Sequence, residues 1–279
     1  MRLKKRLGQN LLLDKNIHRK LLAAMKIEHE DIVIEIGPGL GAVTESILAQ
    51  SCHCVGIEID ERFCGELNRK FGHNPNFELI NGDFLKVDLD ALIADLRRRL
   101  PDAKSVVVFG NLPYYITTPI ITRLIEQRTW DRAFLTVQLE VAERLIACPG
   151  SKVYGAITLF INYYLSVKKL FKIPATVFLP RPRVDSAFLH LTPLPAPAVQ
   201  VPDEELLFNI IRTAFSKRRK MLSNSLQYLR VSGLTGQKLF ETIAECGINM
   251  SSRPEQLSLD DFAVLTNAVY RAMRAPKQK

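Results

Sequence analysis

The sequence predicts an α/β domain built on an open sheet, followed by a smaller helical domain. Three observations support this prediction. Short apolar, β-branched runs such as residues 32–36 alternate with segments of helical periodicity in the first two thirds of the chain. Residues 193–202 are proline-rich and uncharged, as is typical of a linker, and the pattern beyond them is helical. We therefore place the first domain at residues 1–195 and the helical domain at residues 196–279.

The composition limits the class of protein. The 279 residues are 47% hydrophobic, which is enough for a sizeable core, and they carry a formal net charge of +9. This excess of cations favours a polyanionic partner, with an ordinary basic protein as the alternative. No apolar run reaches membrane-spanning length, and no apolar signal segment follows the basic residues 1–6. We expect a soluble, cytoplasmic protein without a membrane partner.

The cysteines do not indicate a metal site. The five are odd in number and contain no CxxC pair, which argues against a disulfide framework and against zinc. We expect them to be core thiols, and we expect no metal ion because no His, Cys and carboxylate residues have ligand spacing.

The first elements predict a nucleotide-binding unit. Asp14 is in the N-cap position of a helix that buries Ile17 and Leu21. A strand at residues 32–36 then ends in Gly37-Pro38-Gly39-Leu40-Gly41, and helical periodicity follows. Glycines at such a turn let a ligand approach the backbone closely. Their spacing is not that of a dinucleotide-binding turn, and no Lys-Ser/Thr pair follows, so NAD and ATP are not the expected ligands.

The next strands end in polar side chains that belong to the same edge of the sheet. Glu58 falls about twenty residues after the first glycine, where a carboxylate can bind ribose hydroxyls. Asp83 follows the next strand and can accept a hydrogen bond from an adenine amine. A fourth strand at residues 106–109 delivers Asn111. We therefore expect four strand ends to converge on one crevice.

The turn that contains Asn111 suits a flat ring with an amine. The Asn111 side-chain oxygen can accept from the amine, Pro113 has no competing backbone N–H, and Tyr114 offers a face for stacking. A β-turn that only caps a buried strand is the alternative interpretation.

The remainder of the first domain contains further helices and strands. Thr118 is predicted to cap a helix, and strands are predicted at residues 134–137 and 187–191. Helical patterns cover residues 140–147 and 155–165. We interpret Lys168, Lys169 and Lys172 as part of the segment that leads into a proline-stiffened loop at residues 178–186.

Two segments are candidate RNA contacts, each with a structural alternative. Phe178, in the proline-stiffened loop, either closes over a base or anchors the loop in the core. The basic segment at 216–220 either binds phosphates or is a solvated helix junction; its cations are Lys217, Arg218, Arg219 and Lys220.

Taken together, the motifs resemble those of the ribosomal RNA adenine dimethyltransferase family, in particular the branch that acts on small-subunit rRNA. The resemblance spans nearly the whole chain in the family's order, through Gly8-Gln9-Asn10, Glu35 to Gly41, Asn81-Gly82-Asp83, Asn111-Leu112-Pro113-Tyr114, Val184-Asp185-Ser186 and Phe215 to Leu222. Leu11 stands where the family usually has Phe. The resemblance implies a Rossmann-like methyltransferase domain that uses S-adenosylmethionine. It also implies that the cofactor site contains Asn10, Leu12, Gly37, Glu58, Asp83 and Asn111, and that the target adenine is held by Asn111, Leu112, Pro113 and Tyr114.

By this resemblance the protein dimethylates the exocyclic amines of two adjacent adenosines in the terminal hairpin loop of small-subunit rRNA. The substrate would be an immature small ribosomal subunit, and the enzyme a monomer in ribosome biogenesis. Two alternatives stay open at this point. One is a large-subunit rRNA methyltransferase of the antibiotic-resistance type, and the other is a non-catalytic assembly factor.

Overall fold

The computed structural model describes residues 10–50, 53–217, 220–231, 234 and 236–275. The strands are β1 (Leu11–Leu12), β2 (Asp31–Ile36), β3 (His53–Glu58), β4 (Phe77–Asn81), β5 (Ser105–Asn111), β6 (Arg132–Gln138), β7 (Leu165–Ile173), β8 (Phe178–Leu179) and β9 (Ser186–Pro193). The helices are α1 (Lys15–Met25), α2 (Ala42–Leu48), α3 (Glu61–Phe71), α4 (Leu89–Arg99), α5 (Thr117–Glu126), α6 (Leu139–Leu145), α7 (Ala156–Tyr164), α8 (Glu204–Ala214), α9 (Leu222–Leu226), α10 (Gly236–Glu245) and α11 (Leu259–Arg274).

Seven of the described strands form one sheet in the order β4-β3-β2-β5-β6-β9-β7. The strands from β4 to β6 pair in parallel, and β9 runs antiparallel to both β6 and β7. The chain order reverses between β2 and β5, and in such sheets ligands bind outside the carboxyl ends of the strands at this point. The predicted open α/β sheet is confirmed, and its topology places the four predicted strand ends side by side.

Local sequence signals explain where several helices begin. The Asp14 side chain accepts hydrogen bonds from the backbone of Asn16 and Ile17 and so caps α1. Ser258 and Asp261 form a capping box at the start of α11. The prediction for Thr118 is wrong because α5 already begins one residue earlier, directly after the 3₁₀ turn Tyr114–Ile116.

The strand β7 was not predicted. Its lysines suggest a solvated segment, but β7 is the edge of the sheet, where charged side chains are tolerated and protect the edge from further pairing. A second short sheet joins β1 to β8 in antiparallel register. It holds the Leu11–Leu12 segment against Phe178–Leu179, at the start of the proline-stiffened loop.

The contacts within the chain divide it into two units. The first contains the described residues up to Ala142 together with Leu165–Pro193, and the second contains Glu143–Tyr164 together with the described residues from Leu194 onward. The sequence-based division placed residues 143–164 in the first domain. In the structure Leu159 and Tyr163 of this segment belong to the apolar core of the helical unit, with residues of α8 and α11.

Two further observations concern the chain as a whole. No described helix combines the length and the apolar run that crossing a bilayer requires. Cys54 and Cys64 are buried as predicted, whereas Cys246 is only half-buried. Cys148 lies exposed in the loop after α6, so the prediction of a core thiol is wrong there. Cys52 lies outside the described residues.

Candidate active site

A cavity of about 400 Å³ lies at the carboxyl ends of β2, β3, β4 and β5. This volume is within the usual range for sites that bind small molecules and cofactors. Its lining includes all six residues predicted for the cofactor site, Asn10, Leu12, Gly37, Glu58, Asp83 and Asn111, and also Leu112 and Pro113. The structure therefore brings together residues that are far apart in the sequence.

The glycine turn after β2 forms one wall of the cavity. Gly37, Gly39 and Gly41 have φ angles of 66°, 60° and 78°, in the left-handed region that favours glycine. A Cβ atom at Gly41 would lie 2.5 Å from Cε2 of Phe71. At Gly37, which lines the cavity, a Cβ atom would meet no protein atom within 4 Å. The turn therefore leaves space at Gly37 for a ligand to approach the backbone.

Glu58 fixes the glycine turn to the end of β3. One carboxylate oxygen accepts from the Gly39 backbone N–H at 3.0 Å, and the other accepts from the Asp60 N–H at 2.8 Å. The side chain is only 4% exposed, and burial raises the pKa of this carboxyl although the backbone N–H groups oppose the shift. Glu58 thus lines the cavity in a fixed orientation.

Glu35 is a second buried carboxyl in the cavity wall. From the sequence alone it is named only as part of the segment from Glu35 to Gly41, and no role is predicted for it. It is 3% exposed, and Thr44 at the start of α2 donates its hydroxyl to it at 2.6 Å. Burial raises the pKa of Glu35 to about 7. The signal in the sequence was a single acid inside an apolar strand, because such an acid is buried when the strand has helices or strands on both sides.

Asp83 lies in the cavity wall just after β4. Its side chain accepts from the Leu85 backbone N–H at 3.0 Å and so caps the 3₁₀ turn Phe84–Lys86. One hydrogen bond of this kind uses only part of the acceptor capacity of a carboxylate, which has two oxygens.

The amide of Asn111 has a defined orientation. Its Nδ2 donates to the backbone carbonyl of Asn10 at 3.1 Å. Because a carbonyl can only accept, the nitrogen of the amide must face Asn10, and the side-chain oxygen points away from it. The next residue, Leu112, is buried and donates its N–H to the Thr136 carbonyl at 3.3 Å. The turn therefore presents an oriented acceptor.

The two tyrosines after Pro113 have different environments. The Tyr114 hydroxyl bonds with the buried Ser186 hydroxyl at 2.9 Å, and burial raises the pKa of Tyr114. Tyr115 is 61% exposed, and it lines the cavity at the mouth. The sequence-based choice of Tyr114 missed Tyr115, although an aromatic next to the turn was a visible signal.

Other predicted residues do not lie at this cavity. Phe178 is 5% exposed and packs in the apolar core of the first unit, which favours the loop-anchor interpretation over a role above a base. Lys217 and Lys220 belong to the helical unit. Gly8, Gln9, Arg218 and Arg219 lie outside the described residues.

Comparison with known proteins identifies the family. The model of the family described as ribosomal RNA adenine dimethylase matches residues 1–270. The chain belongs to this family. Two relatives named ribosomal RNA small subunit methyltransferase A, from Shouchella clausii and Caldanaerobacter subterraneus, are 39% and 40% identical to it. The alignments cover 98% and 97% of this chain, and 91% and 98% of the relatives.

Solved structures agree with the fold. A dimethyladenosine transferase from Plasmodium falciparum has a TM-score of 0.78 at 25% identity, covering 94% of this chain and 98% of that one. The 23S rRNA methyltransferase ErmE has a TM-score of 0.68 at 21% identity, covering 94% and 100%, and its likeness concerns the fold alone. The predicted Rossmann-like methyltransferase fold is confirmed, and the chain is an S-adenosylmethionine-dependent rRNA adenine dimethyltransferase.

The cavity fits the cofactor of this adenine dimethylase family. S-Adenosylmethionine has a ribose, an adenine and an amino acid part, and the cavity offers a glycine turn with free space at Gly37, the carboxylates of Glu58 and Asp83, and apolar side chains such as Ile57 and Phe63. Among the described residues no three His, Cys, Asp or Glu side chains come together as a metal site would require.

Proposed function

We propose that this enzyme dimethylates the exocyclic amines of two adjacent adenosines in the terminal hairpin loop of small-subunit rRNA. The observation that carries the proposal is the oriented amide of Asn111 in the wall of a cavity that suits the cofactor. The relatives' names, which refer to the small ribosomal subunit, support this target. The ErmE likeness is confined to the fold, so a large-subunit target is the weaker alternative.

The reaction requires control over the lone pair of the amine. An adenine amine is a poor nucleophile because its lone pair is delocalised into the ring. The Asn111 oxygen accepts one N–H of the amine, and a backbone carbonyl of the same turn accepts the other. The Pro113 carbonyl already accepts from the Ile116 N–H at 3.1 Å, which favours the Leu112 carbonyl as this second acceptor. Two acceptors in fixed positions orient the lone pair toward the cavity.

When bound, S-adenosylmethionine supplies an activated methyl group on a sulfonium. In this proposal Asn10, Leu12, Gly37, Glu58, Asp83 and Asn111 hold it. Glu58 and Asp83 supply carboxylate oxygens for hydroxyl and amine groups. The methylated amine is acidic and loses its proton to water, so the chain needs no strong base. The second methylation uses the same arrangement, with one N–H left for the acceptors.

Tyr114 provides the surface for the target base. Its hydroxyl is bonded to Ser186, so the ring has a fixed position beside the Asn111 turn. Taking a base out of its stack costs a few kcal/mol of free energy, and stacking on an aromatic side chain offsets part of this cost. A loop nucleotide costs less to extrude than a paired one, which agrees with a hairpin loop as target.

We place the enzyme in the cytoplasm as a monomer that acts on an immature small ribosomal subunit. The net charge of +9 supports contact with RNA. The helical unit is the proposed RNA-binding domain, with Lys217, Arg218, Arg219 and Lys220 as phosphate contacts. Removal of the Arg218 and Arg219 charges should weaken binding and lower its salt dependence, and an unchanged salt dependence would contradict this role.

The role of Asn111 is tested by methyl transfer from labelled S-adenosylmethionine to immature small ribosomal subunits. Asn111→Ala should lower the rate by about a hundredfold or more, as expected when an oriented group at the reacting centre is lost. Asn68→Ala is the matched control, because Asn68 lies exposed on α3 and away from the cavity lining. Equal rates for the two variants would refute the proposed role of the turn.

A further inference from the structure

The exposed face of α1 carries cations without acids. The helix has the sequence KNIHRKLLAAM, in which Lys15, Arg19 and Lys20 are exposed. Lys15 and Arg19 lie one turn apart on the same side of the helix, about 6 Å along its axis. The segment before α1 ends at Leu13, which lines the cavity. The basic face therefore begins directly beside the candidate active site.

The edge strand β7 extends this face. Lys168 is exposed and pairs in register with His190 of β9, so the two side chains are on the same side of the sheet. That side also carries α1, because Lys20 lies 4.1 Å from the centroid of the Phe171 ring of β7. Burial and the nearby charge of Lys168 both lower the pKa of His190, in agreement with this placement. We call Lys15, Arg19, Lys20 and Lys168 the α1–β7 basic surface.

The cations of this surface differ from other basic clusters of the first unit. Arg97 and Arg98 of α4 form ion pairs with Asp131 and Asp95, and Arg69 of α3 pairs with Glu66. Within the described part of the chain, Lys15, Arg19, Lys20 and Lys168 form no ion pair. A lysine on an edge strand also discourages aggregation, but this explanation does not apply to the cations on α1.

We propose that the α1–β7 basic surface binds the sugar–phosphate backbone of the RNA next to the target loop. The proposal rests on the proposed function, because it presumes an RNA substrate whose target base enters the cavity. Exposed cations that form no ion pair among the described residues are complementary to phosphates, and the position of α1 beside Leu13 puts them in reach of the nucleotides that flank a base at the cavity. These contacts would hold the RNA in place without reading its sequence.

The test is the salt dependence of RNA binding by two matched triple variants. Arg19→Gln, Lys20→Gln and Lys168→Gln together remove three charges from the α1–β7 basic surface. Arg69→Gln, Arg97→Gln and Arg98→Gln remove three charges from exposed ion pairs and serve as the control. The probe is a small-subunit rRNA fragment with the terminal hairpin, titrated at several salt concentrations, and cofactor affinity is measured in parallel.

The first triple variant should bind this RNA about tenfold more weakly at 0.1 M salt, and the slope of log K against log salt should fall by about 2. The control should keep the wild-type slope, and both should keep the wild-type cofactor affinity. Lys168→Gln alone, a change on an exposed edge, should lower the slope by about 0.7 to 0.9.

Unchanged slopes in both surface variants, or equal losses in the control, would overturn the proposal. A wild-type protein that neither bound the rRNA fragment nor methylated immature small subunits would refute the proposed function itself, and this proposal with it. The two failures are therefore distinguishable.

Discussion

Glu35→Gln should remove the fall in the free energy of unfolding that the wild type shows between about pH 4.5 and pH 7. The native pKa of Glu35 is about 7, above the ordinary value of 4.5 that we assign to the unfolded chain, because the side chain is buried. Below pH 4.5 the carboxyl is protonated in both states, and its contribution to stability is fully present. As the pH rises toward 7 the unfolded state ionises first, so stability is lost over this interval.

The expected size follows from the two pKa values. Their difference corresponds to about 3 kcal/mol at pH 8, where the native state must hold a buried carboxylate. Gln is neutral at every pH and can still accept from the Thr44 hydroxyl. The variant should therefore match the wild type near pH 4 and exceed its free energy of unfolding by up to about 3 kcal/mol at pH 8.

Denaturant unfolding can be followed by tryptophan fluorescence, because the single tryptophan, Trp130, is buried in the first unit. The cofactor-free proteins are compared from pH 4 to pH 8. Thr44→Val is the second variant. It removes a hydrogen bond that lowers the pKa of Glu35, so its loss of stability should extend to higher pH. Parallel curves for Glu35→Gln and wild type would refute the reasoning.

Two further predictions concern the turn. Gly110→Ala should lower methyl transfer, since its Cβ would lie 2.6 Å from Cδ2 of Leu112 and overpacking costs about 1 to 3 kcal/mol. Gly65→Ala, with no atom within 4 Å of the new Cβ, should leave the rate unchanged, and equal rates in the two variants would contradict this. Ser186→Ala and Tyr114→Phe should each cost about 1 kcal/mol of transition-state stabilisation, and the double variant no more than either. If the losses in the rate of methyl transfer were additive in the double variant, the hydrogen bond between Tyr114 and Ser186 would be excluded as their cause.

The sheet and three of the predicted cofactor residues were predictable for physical reasons. Buried parallel strands must be apolar and β-branched, so β2 and β5 were visible as short runs between turns. The carboxyl ends of such strands meet at one edge, which made the grouping of Gly37, Glu58 and Asp83 predictable without coordinates.

Other features depend on tertiary contacts that local patterns do not record. The orientation of Asn111 is set by the Asn10 carbonyl, which is 101 residues away in the chain. The strand β7 was missed because an edge strand can carry lysines that look like a solvated loop. The helix α7 has a clear helical pattern, but only the packing of Tyr163 shows that it belongs to the helical unit.

The decisive experiment is to locate the methyl groups that the wild-type enzyme transfers. Immature small subunits and large-subunit precursors are incubated separately with labelled S-adenosylmethionine, and the modified nucleotides are mapped and their methyl groups counted. We predict two adjacent dimethyladenosines in the terminal hairpin loop of the small-subunit rRNA and no label in the large-subunit rRNA. Label confined to the large-subunit rRNA would contradict the proposed target, and binding of small subunits without any methyl transfer would contradict the proposed catalysis.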